Sequence, residues 1–194
     1  MSEFQLFFEL GLDHILDIDG YDHILFVIAL CAIYEATAWK RILILVTAFT
    51  IGHSVTLAMA TLKLVSLDAS LIEFLIPVTI FITALVNIVN RDKELSPKQV
   101  NQNYGLALGF GLIHGMGFSN YLRSLLGKDE SIVNQLFAFN IGLEVGQIII
   151  VVVFMLLGVI LRTFFSMERR DWVTIVSSAV MGVAITLMIE TKFW

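Results

Sequence analysis

Long apolar runs separated by short polar loops dominate the chain. About 20 consecutive apolar residues let a helix cross a bilayer, and six stretches reach or approach that length. We therefore predict six transmembrane helices, over Tyr21–Trp39, Arg41–Leu62, Leu71–Asn90, Tyr104–Leu126, Leu136–Leu161 and Trp172–Trp194. Ahead of them, residues 1–20 carry only a short apolar patch between Phe4 and Leu10, which predicts an interfacial or re-entrant helix.

These runs predict one all-helical membrane domain that divides near its middle. Residues 21–90 form a first three-helix half, residues 91–103 a cytoplasmic loop and residues 104–194 a second three-helix half. A weak repeat relates the halves, pairing Gly20-Tyr-Asp-His23 with Gly111-Leu-Ile-His114 and Phe49-Thr-Ile-Gly52 with Phe139-Asn-Ile-Gly142. Because three spans separate the copies, the pattern fits a 3+3 inverted repeat of the kind found in secondary transporters. Chance similarity is the alternative.

Composition supports the membrane interpretation. Of the 194 residues, 58% are hydrophobic and 15% are charged, whereas soluble domains average about 45–50% and about 25%. The net charge of −5 offers no basic surface for nucleic acid. The lipid bilayer is therefore the first expected partner.

Lysine and arginine are unevenly divided between the two sets of predicted loops. The loops after spans one, three and five hold eight of them, and the other side holds four. The more basic side of a membrane protein is usually cytoplasmic. We therefore predict a multi-pass protein of the cytoplasmic membrane with both termini outside the cytoplasm, so that the acidic stretch before span one faces outward.

Ionisable side chains stand out against this apolar background. One group surrounds the start of span one and contains His14, Asp17, Asp22 and His23. A second group lies within the spans and contains His53, His114 and Glu144, with supporting polar residues Ser54, Asn140 and Gln147. Ionisable groups inside a bilayer are costly and normally face a partner, a cavity or a transported ion.

Imidazole and carboxylate groups together suit Ni²⁺, Co²⁺, Zn²⁺ or Fe²⁺ rather than Mg²⁺ or Ca²⁺. We predict that Asp22 and His23 receive such an ion at an acidic mouth, and that His53, His114 and Glu144 hold it near mid-membrane. Protonation of Glu144 or of a histidine would couple its release, because metal ligands must be deprotonated. The sequence leaves a homo-oligomer open.

Two other functions could use the same residues. An intramembrane hydrolase would hold Zn²⁺ on the histidines and Asp22 to activate water, although the HExxH signature is absent. A scaffold subunit would use the histidines only for hydrogen bonds between helices. We favour a transporter over an enzyme, and assign neither catalytic residues nor an organic cofactor.

Five ordered motifs carry a resemblance to a known family. They are Gly11-Leu-Asp-His14, Gly20-Tyr-Asp-His23-Ile-Leu-Phe26, Thr47-Ala-Phe-Thr-Ile-Gly-His53-Ser54, His114-Gly-Met-Gly-Phe118 and Phe139-Asn-Ile-Gly-Leu-Glu144. From Gly11 to Gln147 the chain resembles the HupE/UreJ family of small membrane proteins. The resemblance implies a nickel or cobalt permease with metal contacts at His14, Asp22, His23, His53, His114 and Glu144. The chain departs from the wider nickel–cobalt permease pattern of His, four residues and Asp-His, because Asp17 stands five residues before Asp22.

Overall fold

The computed structural model describes residues 2–65, 68–93, 95–118 and 132–194. Within these residues the chain is helical and contains no β-strand, which confirms the all-α prediction. The helices are α1 (Glu3–Leu16), α2 (Asp22–Ala32), α3 (Trp39–Thr61), α4 (Ala69–Asn90), α5 (Pro97–Gly117), α6 (Ile132–Phe164) and α7 (Arg169–Glu190), with a 3₁₀ turn over Ala36–Ala38.

Four of the described helices, α3, α4, α6 and α7, are long and apolar enough to cross a membrane. The prediction of six crossing helices is therefore not confirmed. The second half of α6 exposes a broad apolar surface of the kind that contacts lipid, formed by Val152, Val153, Leu156, Leu157, Val159 and Ile160. This surface and the four long helices mark a membrane protein.

Predicted span one is the clearest difference from the sequence expectation. Its helix, α2, has 11 residues and is about 16 Å long, which is shorter than the hydrocarbon core of about 30 Å. The helix ends at Ala32, and the 3₁₀ turn follows Glu35 before α3 begins at Trp39. The mean hydropathy of the 19 residues of this predicted span does not reveal the turn, because the residues on both sides of it are apolar.

Predicted span four corresponds to α5, which starts earlier than expected. Ser96 and Gln99 form a capping box, and Pro97 occupies the first turn, so the helix begins with a strong start signal. The first seven residues of α5 are mostly polar, so the apolar pattern places the start of the span later, at Tyr104. The part of the predicted span beyond Phe118 lies outside the described residues.

Close packing at glycine joins α3 to α5. A Cβ added at Gly111 would lie 3.0 Å from the His53 nitrogen, and one at Gly52 would lie 3.0 Å from the Leu112 nitrogen. Only residues without a side chain let two helix backbones approach so closely. This contact fixes the position of His53 relative to His114, which lies one turn after Gly111.

The α1/α6 pair packs in the same way. A Cβ added at Gly11 would lie 3.1 Å from the Leu143 nitrogen, and one at Gly142 would lie 3.0 Å from the Leu12 nitrogen. The short N-terminal helix is therefore held along the first half of α6, and it delivers His14 to the interior of the bundle.

Capping interactions fix the two ends of α4. At its start, the Asp68 carboxylate accepts hydrogen bonds from the Ser70 hydroxyl and from the backbone N–H groups of Leu71 and Ser70, and these bonds, led by the hydroxyl, lower the pKa of Asp68. Beyond its end, Arg169 donates to the Arg91 carbonyl at 3.0 Å and to the Ile33 carbonyl at 3.1 Å. Arg169 thereby ties α7 to the chain that follows α2 and α4.

Candidate metal centre

Three histidines from three different helices meet inside the bundle. His14 lies near the end of α1, His23 in the first turn of α2 and His53 within α3. One ring nitrogen of each can be chosen so that all three lie within 4.8 Å of one another. Such a group is close to the spacing at which imidazoles share one metal ion. The structure thus brings together residues that are up to 39 positions apart in the chain, His14 and His53.

His114 on α5 extends this group to four imidazoles, which we call the histidine cluster. The ring centroid of His23 lies 5.2 Å from that of His114 and 4.7 Å from that of His14. The His53 ring lies 6.0 Å from the His14 ring and 6.1 Å from the His23 ring. His23 is therefore the central member of the cluster, with a histidine on either side of it.

Hydrogen bonds set the tautomer of two of these rings. The Nδ1 atom of His23 lies 3.0 Å from an Asp22 carboxylate oxygen, and the Nδ1 atom of His114 lies 2.9 Å from the Phe110 carbonyl oxygen. Both oxygens only accept, so each Nδ1 carries the proton and donates. The lone pair of a neutral ring is then on Nε2, where it can bind a metal.

Five other ring nitrogens of the cluster have no hydrogen-bond partner among the described residues. These buried atoms are Nε2 of His14, His23 and His114 and both nitrogens of His53. His53 is fully buried and His114 is 1% exposed. Buried polar atoms are normally bonded, and each neutral ring has one nitrogen with a free lone pair, so the four rings together offer up to four nitrogens to a cation.

Aromatic rings enclose the cluster, and the sequence reasoning did not include them in the site. The Phe118 ring lies 4.0 Å from His14, and the Phe26 and Phe49 rings lie 5.1 and 5.2 Å from His114. The signal was in the spacing, because Phe26, Phe49, Phe110 and Phe118 each stand three or four residues from a histidine. That spacing places both side chains on one face of a helix.

Two aspartates that were predicted as metal contacts occupy different positions. Asp22 stands behind His23, where one carboxylate oxygen accepts from both the ring and the backbone N–H of His23. Asp17 is exposed and accepts from the backbone N–H of Asp19 at 2.9 Å, which shapes the loop between α1 and α2. Asp22 therefore supports the cluster, and direct metal contact by either residue stays a prediction.

An acidic cavity of about 240 Å³ adjoins the cluster. Its lining includes the carboxylates of Asp19, Asp22 and Glu73, together with Pro77 of α4. Asp22 links this cavity to the cluster, since its carboxylate is also bonded to His23. Glu73 comes from α4 and was not predicted, because it lies at the start of a span with no neighbouring motif.

Glu144 lies on α6 and connects that helix to α3. The Thr47 hydroxyl donates to the Glu144 carboxylate at 2.6 Å. Glu144 is not among the three residues whose ligand atoms lie within 4.8 Å of one another, the group that the described residues form. The structure therefore places it beside α3 in a hydrogen bond, and its role as a metal contact stays a prediction.

The three supporting polar residues differ in their hydrogen-bond partners. Gln147 is fully buried and accepts from the Thr50 hydroxyl at 2.8 Å. The Ser54 hydroxyl donates to the Thr50 carbonyl of its own helix at 2.6 Å. The side-chain oxygen of Asn140 is buried without a hydrogen-bond partner among the described residues. Gln147 thus joins α6 to α3, whereas Ser54 bonds within α3.

Comparison with known proteins gives one result. The family model described as HupE / UreJ protein matches residues 1–191, almost the whole chain. Searches of the curated proteins and of the solved structures find no match. Because the family model covers the helices that carry all four histidines, the chain belongs to the HupE/UreJ family.

Proposed function

We propose that the chain is a membrane permease for a divalent transition metal ion, with Ni²⁺ or Co²⁺ as its substrate. The HupE/UreJ family is associated with nickel and cobalt uptake. The observation that carries the proposal is the histidine cluster, in which three ligand atoms lie within 4.8 Å and buried ring nitrogens have no described partner. Imidazole nitrogen is a ligand that both metals accept.

The arrangement suits an ion that binds and leaves again. A permease site must bind its ion well enough to admit it and weakly enough to release it. His23 lies between His14 and His114, so it can share an ion with either neighbour while the ion passes. Asp22 accepts from Nδ1 of His23 at 3.0 Å, which orients the ring as a ligand.

In this proposal Glu144 serves as the proton-binding group of transport. It lies on α6 next to Thr47, on the helix that also packs against α1. A carboxylate within an apolar helix is costly unless it is protonated, paired or hydrogen-bonded. Coupling a proton to the metal is consistent with the requirement that bound ligands be deprotonated.

We also propose an inverted repeat, with a pairing different from the one read first in the sequence. Gly11 packs against the backbone of Phe139, as Gly111 packs against that of Phe49. This similarity supports Gly11-x-x-His14, rather than Gly20-x-x-His23, as the counterpart of Gly111-x-x-His114. His14 and His114 would then be equivalent ligands from two halves, with the substrate between them as in other secondary transporters.

The proposed orientation follows the basic residues. Arg91, Lys93 and Arg169 lie together where Arg169 bonds to the chain after α4, and this side would face the cytoplasm. The acidic cavity is lined by the opposite part of α4, including Glu73, and would face outward. Both termini would then lie outside the cytoplasm.

Uptake into reconstituted vesicles tests this proposal. Ni²⁺, Co²⁺, Zn²⁺ and Fe²⁺ are compared for the unmodified chain, for His53→Ala and for the control Ser54→Ala. We expect uptake of Ni²⁺ or Co²⁺ to be lost in His53→Ala and retained in Ser54→Ala, because the Ser54 hydroxyl bonds only within its own helix. Equal uptake in both variants contradicts the proposal.

The same three imidazoles would also suit a hydrolytic zinc, which usually has three protein ligands. The two functions differ in how tightly the metal is held. Metal analysis of purified protein should show less than one zinc per chain for a permease. One tightly held zinc per chain, combined with the absence of vesicle uptake, would support the intramembrane hydrolase instead.

A further inference from the structure

A second cavity lies toward the other end of α4 from the acidic cavity. It has a volume of about 460 Å³ and is lined by Val86, Asn87 and Asn90 of that helix. The acidic cavity is lined by Glu73 and Pro77. Glu73 and Asn90 are separated by about 25 Å along the helix, a distance close to the thickness of a hydrocarbon core.

Neutral amide groups distinguish this second cavity. Five carboxamide side chains line it, and none of its described lining residues is charged; the five are Asn87, Asn90, Gln99, Gln102 and Asn103. We call it the carboxamide cavity. The amide nitrogen of Asn87 donates to the Ala29 carbonyl, and that of Asn103 to the Tyr34 hydroxyl. These bonds leave the two amide oxygens as the groups available to a cation.

A small cavity, which we call the neck, adjoins the carboxamide cavity on the side of Phe110. The neck has a volume of about 20 Å³, which is enough for about one water molecule. It shares Asn87, Asn103 and Leu106 with the carboxamide cavity and extends to Phe110. The neck therefore adjoins the cavity on one side and a phenylalanine on the other.

That phenylalanine borders the cluster directly. The Phe110 carbonyl accepts from His114, and the Phe110 ring lies 5.9 Å from the Phe26 ring. The Phe26 ring in turn lies 5.1 Å from His114. The Phe26–Phe110 pair thus stands between the neck and the histidines.

Residues of α2, and Ile33 directly after it, contact each of these features in turn. Asp22 lines the acidic cavity, His23 belongs to the cluster, and Phe26 belongs to the aromatic pair. Leu30 lines the neck and Ile33 the carboxamide cavity. From His23 to Ile33 the steps are three and four residues, which keep side chains on one face of a helix. Asp22 directly precedes His23, so the features follow one another in order along α2.

We propose that the carboxamide cavity is the second vestibule of the metal route and that the Phe26–Phe110 pair closes it from the histidine cluster. This inference rests on the proposed permease function. Oxygen atoms of neutral amides are weak ligands for Ni²⁺ and Co²⁺ compared with imidazole. An ion that passes the pair therefore meets water and weak ligands, which favours its release on this side.

Thiol labelling of single-cysteine variants tests the vestibule. The native Cys31 is buried and is replaced in a Cys31→Ala background. Gln102→Cys then places a thiol in the cavity, and Lys98→Cys places one on an exposed position of the same helix as a control. Vesicles are treated on both faces with a positively charged methanethiosulfonate reagent, and Ni²⁺ and Co²⁺ uptake is measured before and after treatment.

We expect both thiols to be labelled and uptake to be lost only in Gln102→Cys, because the bulky cation blocks the vestibule. The vestibule is contradicted if Gln102→Cys is not labelled, or if it is labelled and keeps its uptake. In either case, uptake before labelling leaves the permease proposal standing. If Gln102→Cys does not fold, Asn90→Cys supplies a thiol from the α4 wall of the same cavity.

Release of bound metal tests the aromatic pair separately. Protein loaded with Ni²⁺ is mixed with a water-soluble chelator, and the release rates of Phe110→Ala and Phe154→Ala are compared. The Phe154 ring contacts Trp172, away from the cluster, at 5.6 Å. We expect faster release only in Phe110→Ala. Equal rates in the two variants contradict a closing role for the pair, and Phe26→Leu provides the second variant if Phe110→Ala fails to fold.

Discussion

Adding one methyl group at Gly111 should disturb both the fold and the metal centre. A Cβ there would lie 3.0 Å from the carbonyl carbon of Phe49 and from the nitrogen of His53, and closer still to the Phe49 oxygen. These neighbours are backbone atoms, so α5 must withdraw from α3 by roughly 1 Å, and such overpacking costs about 1–3 kcal/mol. The change also moves His114 relative to His53.

Gly109→Ala is the matched control for Gly111→Ala. It lies on the same helix, and a Cβ at Gly109 meets no atom within 4 Å. Both variants gain the same helix propensity, up to about 1 kcal/mol, so the difference between them isolates the packing cost. For a chain of this size, 1 kcal/mol corresponds to about 2–4 °C in melting temperature.

The assay is thermal unfolding of the purified protein in detergent, followed by tryptophan fluorescence. We expect Gly111→Ala to melt about 2–12 °C below Gly109→Ala, the packing cost converted by that scaling. Uptake of Ni²⁺ or Co²⁺ should fall in Gly111→Ala alone. If Gly111→Ala melts at or above the temperature of Gly109→Ala, the backbone contact between α3 and α5 is wrong.

Three further predictions concern single polar groups. Asp22→Ala should weaken Ni²⁺ binding by about 10–100-fold, since it removes the acceptor that orients His23, and isothermal titration should show no change for the exposed control Asp13→Ala. Glu144→Gln should leave that affinity unchanged while reducing uptake; a matching loss of affinity would instead place Glu144 among the ligands. Arg169→Ala should lower the melting temperature more than Arg170→Ala, because Arg169 bonds to three backbone carbonyls whereas the Arg170 ion pair is exposed and worth less than about 1 kcal/mol. Equal melting temperatures for the two arginine variants would contradict this last prediction.

The fold is predictable from the sequence where a long apolar run determines the helix. It is less predictable where a turn interrupts such a run. The runs that became α3, α4, α6 and α7 are long enough for helix type and membrane character to follow from composition. Predicted span one is not confirmed as a crossing helix, because a turn between apolar residues ends α2 at Ala32. The polar start of α5 at Pro97 was missed since hydropathy averages over both faces of a helix.

The metal centre was predictable in its residue types more than in its arrangement. Histidines in an apolar chain had to meet partners, and the structure brings His14, His23, His53 and His114 together. Sequence spacing could not show that Asp22 supports His23 from behind, because that depends on which way both side chains point. It also could not reveal Glu73, whose proximity to Asp22 exists only after α2 and α4 pack.

X-ray absorption spectroscopy of the protein loaded with one equivalent of Ni²⁺ or Co²⁺ tests the central claim most directly. It reports the atoms bound to the metal and identifies imidazole rings by their outer-shell scattering. We expect at least three imidazole nitrogens in the first shell, from the histidines whose ring nitrogens lie within 4.8 Å of one another. A shell of oxygen atoms without imidazole scattering would contradict the account.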